Sequence, residues 1–288
     1  MRKNRIRFNL LSQKDLPSLH QAFKSAFDNY SVNLNTSLDA LNFRMKCIGA
    51  EMDTTMAAWY NDEVAAFIIN AIGNDNGIKT AYNGGTGVIP AYRGNRLSAD
   101  LYLKGFEYLK QNGVEQCLLE VISNNIPAFK IYQQLGFEVS REFNCYKGGK
   151  IKERNGNKDI HFLTVKDRLP DWSLYASWYD FKLCWQNSQK SVIRNYDNQT
   201  IIEAIHRTKT VGIVIFESLN GKVAQLAVDP AYRRLKIGTQ LLRLVGKLSK
   251  AKSMFFLNID AASEPINKFL VKNGFEVAIK QKEMVRSL

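Results

Sequence analysis

Residues 88–98 read Val-Ile-Pro-Ala-Tyr-Arg-Gly-Asn-Arg-Leu-Ser, a set of residue types suited to an anion. Pro90 and Gly94 punctuate a turn, Arg93 and Arg96 bring positive charge, and an amphipathic helix starts near Leu97. Free backbone N–H groups at a helix start point at a ligand and the helix dipole favours negative charge, so a pyrophosphate would suit this turn. Pro230-Ala231-Tyr232-Arg233 opens the same kind of turn ahead of Ile237.

These turns need a frame, and the frame repeats. Gly136-Phe137-Glu138-Val139 recurs as Gly274-Phe275-Glu276-Val277, in the same order relative to Pro-Ala-Tyr-Arg and at nearly the same spacing. Two identities in register imply a duplicated domain. In the first half, apolar runs at 54–60 and 64–72 flank the turn Asn61-Asp62, and a further strand covers 79–89. In the second, 211–218 and 223–228 flank Asn220-Gly221, a strong hairpin signal. The helix after each turn carries an apolar stripe, Leu97, Leu101, Leu103, Phe106 and Leu109 in one copy and Ile237, Leu241, Leu242, Val245 and Leu248 in the other. A short apolar strand follows (116–122; 253–259), then a second helix, then the strand opened by Gly-Phe-Glu-Val. Helices are expected upstream at 13–27 and 38–47, and an aromatic-rich helical region at 172–189 that serves packing. The expected fold class is α/β (α+β): two domains, 1–150 and 159–288, each a mixed, mostly antiparallel sheet flanked by helices, joined by a polar stretch at 148–158.

Composition narrows the class. Hydrophobic residues make up 45% of the 288, enough for real cores. The net charge of +13 could serve a polyanion, but the basic residues are spread along the chain without a dense run, so solvated surface lysines are the favoured reading and nucleic acid is not the expected partner. Cys47, Cys117, Cys145 and Cys184 are scattered in apolar settings, which predicts buried reduced thiols and a cytoplasmic protein. No apolar run is long enough for a bilayer, and the basic start Met1–Arg5 leads into a strand-like 6–10, not a signal core. His20, His161 and His206 lack metal-ligand spacing, so no metal is expected.

The turn resembles the acyl-coenzyme A motif of GCN5-related N-acetyltransferases (GNATs), Gln/Arg-x-x-Gly-x-Gly/Ala. Arg93 matches its first position; Arg96 stands at its first glycine and Ser98 at its last Gly/Ala. In the second half Arg233 and Gly238 match, and Lys236 replaces the middle glycine. The family signature Asn-x-x-Ala-x-x-x-Tyr-x-x-x-Gly-Phe is complete as Asn125, Ala128, Tyr132, Gly136 and Phe137. The second half has Ser263, Ile266 and Leu270 at the first three places.

The resemblance implies acetyl-CoA as co-substrate and direct acyl transfer to a small amine or a protein amine. It implies a donor site built from Val88, Arg93, Gly94, Asn95, Arg96, Leu97, Ser98 and Asn125, with the Val88 N–H on the thioester carbonyl and Tyr132 as proton donor to the leaving thiolate. Glu120 is either a general base or a structural carboxylate; the strand at 79–88 carries no Asp or Glu, though Tyr82 and Asn83 on it could orient a water. Cys117 is expected to be a buried thiol with no covalent role, and loops 28–36 and 73–77 flank the acceptor side. The first half is expected to be catalytic and the second a degenerate copy. The alternative is a non-catalytic acyl-CoA-binding or nucleic-acid-binding module.

Overall fold

The computed structural model describes residues 6–28, 36–149, 151, 157–166 and 168–288. In chain order the first part contains β1 (Ile6–Leu10), α1 (Leu16–Phe27), α2 (Leu38–Ile48), β2 (Met56–Tyr60), β3 (Glu63–Asp75), β4 (Ile78–Val88), α3 (Leu97–Gln111), β5 (Gln116–Ile122), α4 (Ile126–Gln134) and β6 (Glu138–Gly148). The second contains β7 (Ile160–Val165), α5 (Trp172–Tyr175), α6 (Gln189–Arg194), β8 (Gln199–His206), β9 (Lys209–Glu217), β10 (Lys222–Val228), α7 (Ile237–Leu248), β11 (Met254–Asp260), α8 (Glu264–Lys272) and β12 (Glu276–Ser287). The polypeptide forms two compact units: unit 1 is discontinuous, 1–140 with 283–288, and unit 2 is the single stretch 141–282. A division at 150/159 therefore cuts the chain elsewhere than the packing does. Most of the 148–158 stretch, and of the 28–36 loop, lies outside the described residues.

In unit 1 the strand order is β1-β2-β3-β4-β5, followed by the end of β12. The first four strands pair antiparallel, and β4 pairs parallel with β5. Alternation along β3 sends Ala66 and Ile68 into a core under α3, while Phe67 meets Phe23 of α1 on the other face at a 6.0 Å centroid distance. Two glycines let the helices come this close. A Cβ at Gly84 would stand 2.0 Å from Ile48 Cδ1, and one at Gly87 would stand 2.4 Å from Phe67 Cζ. The last strand closes the α3-side core. Met284 is completely buried in it, and the Arg286 guanidinium lies 4.0 Å from the centre of the Phe106 ring.

In unit 2 the order is β6-β11-β10-β9-β8-β7. Residues Met254 to Asp260 of β11 pair antiparallel with Phe143 to Gly148 of β6. Pattern reading finds β9 and β10, at 211–218 and 223–228, but not β7, β8 or the β8–β9 hairpin. Arg207 takes the left-handed turn position at φ 55°, where glycine or asparagine would have advertised the turn.

Three expectations are corrected. Leu103 is 52% exposed and Leu248 48%; the buried position beside Leu101 is Tyr102, one turn before Phe106. The 172–189 region is no continuous helix but α5 and short 3-10 turns, because Trp178, Tyr175 and Trp185 each turn inward separately. Residues 73–77 are the end of β3 and a tight turn through Asn76 (φ 53°) and Gly77 (φ 87°), not an open loop. Among the described residues no helix is long and apolar enough to cross a membrane.

Since Met284 fills the unit 1 core from the far end of the chain, Met284→Ala should cost about 2–5 kcal/mol in urea unfolding. A fragment of residues 1–150, lacking that strand, should fail to give a cooperative transition; a stable fragment would show that the strand is dispensable.

Candidate active site

The site in unit 1 begins where β4 and β5 part. Their ladder runs from Thr80/Gln116 to Asn83/Leu119, and a β-bulge in the β3–β4 pairing falls at the same place, with Gly84 as the extra residue. A bulge bends its strand, so the end of β4 departs from β5. The Ile89 N–H donates to Ala65 O at 3.0 Å. Successive N–H groups of an antiparallel strand point to opposite edges, so those of Val88 and Thr86 point away from β3 and into the gap.

The turn after β4 is held by its arginine. Arg93 Nε donates to Val88 O at 3.1 Å and Nη2 to Ala26 O at 3.0 Å. One forked cation thus ties the strand end, the turn and the last turn of α1 together. Gly94 (φ 82°) and Arg96 (φ 57°) are left-handed, and Arg96 is the N-cap of α3. That backbone explains why the motif carries glycine at the Arg96 position. A side chain there costs on the order of 1–2 kcal/mol, and in return the turn presents a cation. Asp100 N is the first donor back to Arg96 O, at 3.1 Å, so the amides of Leu97 and Ser98 precede the first helical bond.

Beside the gap stands a cluster of hydroxyls and an amide. Thr86 Oγ1 and Tyr102 Oη are 2.8 Å apart, and Asn83 Nδ2 donates both to Thr86 Oγ1 at 2.7 Å and to Tyr102 Oη. The Tyr132 ring meets that of Tyr102 edge-on, centroids 5.8 Å apart. Burial, and after it the neighbouring Tyr132, push the Tyr102 phenol well above its ordinary range, so it stays protonated. Asn125 caps α4, accepting from Ala128 N at 3.3 Å, and thereby sets the helix that carries Tyr132.

Glu120 comes from the other side. Leu119 and Val121 belong to the α3-side core, on which Tyr132 also packs, so strand alternation turns Glu120 to the opposite face. There it accepts from Tyr82 Oη at 2.7 Å, and Tyr82 is 2% exposed. The gap is therefore flanked by a carboxylate on one face and a tyrosine on the other. Cys117 is buried, and burial pushes its thiol up to about 12, against the opposing charge of Arg286.

A model described as the acetyltransferase (GNAT) family matches residues 17–137, and one described as the acetyltransferase (GNAT) domain matches 197–277. The chain is a tandem member of the GNAT family. A mycothiol acetyltransferase from Saccharomonospora viridis is 44% identical over 53 residues, a match spanning 18% of this chain and 17% of that protein. A GCN5-related N-acetyltransferase from Sphaerobacter thermophilus superposes with a TM-score of 0.74 at 13% identity, over 99% of this chain and 96% of that one. A tandem GNAT protein from the clavulanic acid biosynthesis pathway gives 0.75 at 11% identity, with 98% of each chain covered. At these identities the likenesses establish the fold.

The two GNAT units repeat the scaffold but not the side chains around the gap. Arg233 reproduces the staple, donating from Nε to Val228 O at 3.3 Å and from Nη2 to Trp178 O at 2.9 Å, and adds an ion pair with Asp180 at 2.7 Å. The repeated Pro-Ala-Tyr-Arg is thus first a fastening. Sequence reasoning assigned the Arg93 charge to phosphate, whereas its guanidinium is engaged by two carbonyls. Tyr102 and Thr86 went unnoticed in the sequence. A tyrosine in the apolar stripe of α3 was the available signal, because a buried phenol needs a partner. In unit 2, aligned on the repeated Pro and Gly, Val223, Leu226, Leu242 and Leu270 stand for Asn83, Thr86, Tyr102 and Tyr132. Among the described residues no three His, Cys, Asp or Glu side chains converge to hold a metal ion.

If the fork of Arg93 fastens the turn, Arg93→Lys should fail although it keeps the charge. Hydrogen bonds to a charged group contribute about 1.5–3 kcal/mol, and a thermal melt of Arg93→Lys should fall nearly as far as that of Arg93→Ala. A lysine variant that melts like the parent would make Arg93 a point charge and no staple.

Proposed function

We propose that unit 1 transfers an acetyl group from acetyl-CoA to an amine, by direct attack within a ternary complex. The observation that carries this reading is the junction of the Val88 N–H, turned into the β4–β5 gap, with Tyr132 on one face and Glu120 on the other. The turn from Arg93 to Ser98 suits the donor's phosphates, its amides and the Arg96 charge supplying the contacts.

In this reading the acceptor nitrogen bonds to the thioester carbonyl carbon as the C–S bond breaks. The Val88 N–H holds the developing oxyanion. Glu120, steadied by Tyr82, takes the proton lost by the amine, directly or through a water. Tyr132 gives its proton to the departing thiolate sulfur and regains one from solvent. Tyr102, fixed by Thr86 and Asn83, positions the Tyr132 ring. The acceptor is a small amine or a protein amine.

Tyr132→Phe should lower kcat by roughly 100- to 10,000-fold, the usual range for a general acid, with donor affinity from calorimetry unchanged. Cys117→Ala should keep its rate, since no acyl-enzyme forms. Full turnover by Tyr132→Phe at every pH would remove Tyr132 from the chemistry; loss of acetyl-CoA binding by the intact parent protein would end the enzyme reading itself.

A further inference from the structure

In unit 1, α2 turns a cation inward. Leu41, Met45 and Ile48 are its buried positions, and Arg44 stands in the same stripe, one turn from Leu41 and one from Ile48. Phe43 beside it is 37% exposed, the reverse of what hydropathy alone would choose. Arg44 is half-buried, and its Nε is buried without a hydrogen-bond partner. Among the described residues no carboxylate forms an ion pair with it. The segment 29–35, which joins α1 to α2, contains no Asp or Glu to supply one.

The place of this cation gives it a role. The end of α2 abuts the bulge at which β4 leaves β5, since a Cβ at Gly84 would stand 2.0 Å from Ile48 Cδ1. One turn earlier, Arg44 neighbours Tyr82, whose hydroxyl donates to Glu120 at 2.7 Å. Burial pulls the Arg44 pKa down, opposed first by the Tyr82 phenol and then by the Cys47 thiol. A guanidinium stays charged at neutral pH even so. A desolvated cation without a counter-charge lowers stability. It also binds an incoming anion strongly, and a carboxylate suits it because two parallel N–H groups match two oxygens and one charge balances one. The charge thus stands on the Glu120 face of the gap, one phenol away from the carboxylate that faces the amine.

We propose that Arg44 determines which amine unit 1 accepts, by pairing with a carboxylate on the acceptor, which makes the acceptor a free amino acid with its amine and carboxylate a few bonds apart. This role rests on acetyl transfer in unit 1 with Glu120 facing the amine. The carboxylate lies on Arg44 while the nitrogen lies beside Glu120. A protein N-terminus or a lysine side chain within a protein carries no carboxylate so close to its nitrogen.

The test follows thiol release from acetyl-CoA by the full chain. The acceptors are the standard amino acids, their amides, and a lysine-containing peptide with a free N-terminus and an amidated C-terminus. At least one amino acid should be acetylated, with kcat/KM roughly tenfold to a hundredfold above that of its amide. The amide's less basic amine, more often unprotonated, would by itself favour the opposite order. Arg44→Met should bring that ratio to about one, chiefly through KM, and Arg44→Lys should keep part of it. Without ligand, Arg44→Met should melt no lower than the parent, since a desolvated charge is removed, and it should bind acetyl-CoA in calorimetry with the parent's affinity. A preference for the amide or the peptide over every amino acid, or an amino-acid preference that survives Arg44→Met, overturns the role of Arg44. So does an equal fall in kcat on acid and amide alike, which would make Arg44 a support for Tyr82 and Glu120, and so does a lower melt, which would make it structural. Failure of the parent to bind acetyl-CoA would remove the acetyl-transfer reading itself; binding of acetyl-CoA with no transfer to any amino acid would remove the acceptor class alone.

Discussion

The separation of two parallel strands is the constraint on which this structure depends. β4 and β5 share a ladder only from Thr80 to Asn83, and the bulge at Gly84 then bends β4 away. Backbone groups that a continuous sheet would have paired are left facing a gap. A sheet tolerates such an opening only if something satisfies or covers its edges. Here the turn after β4 is clamped by Arg93, α3 and α4 roof one face, and Tyr82 with Glu120 occupies the other. The opening is held and cannot close.

The two units share a scaffold and differ in the side chains around the gap. Both keep the Arg staple, the bulge at the equivalent strand position and the left-handed N-cap of the following helix. Those features are backbone geometry, and they are costly to rebuild once lost. What differs is a handful of side chains in the gap. With Leu242 and Leu270 in place of Tyr102 and Tyr132, unit 2 lacks both hydroxyls, and that of the buried Tyr102 is one that needs a partner. The aromatic segment at 172–179 packs over Gln225 on the other face of β10.

Unit 1 also draws on a distant part of the chain. Unit 1 is completed by 283–288, and unit 2 begins at 141. Long-range closure of this kind costs loop entropy, which grows only slowly with length, and it gains a fully buried Met284 and the Arg286 contact on Phe106. The duplicated chain therefore need not fold as two beads in series.

Much of this was legible in the residues. The repeat and the strand–turn–helix order follow from spacing, because helix and strand periods, turn formers and caps act over a few residues, while the Asn125, Ala128, Tyr132, Gly136, Phe137 set is legible through its resemblance to a family signature. The family and its two domains followed from that resemblance, and the burial of Cys117 from its apolar setting. Other features were decided only when distant segments met. Whether Arg93 faces a phosphate or the carbonyl of Ala26 depends on where α1 ends, and whether Tyr102 or Leu103 is buried depends on how α3 is rolled against the sheet. Which strand completes unit 1 is set by the competition for the edge of β5, where Leu288 N reaches Glu115 O at 2.9 Å. Local sequence specifies torsions and faces; the partners of a buried polar group are specified by the whole packed chain, since desolvation gives such a group no neutral alternative to finding one.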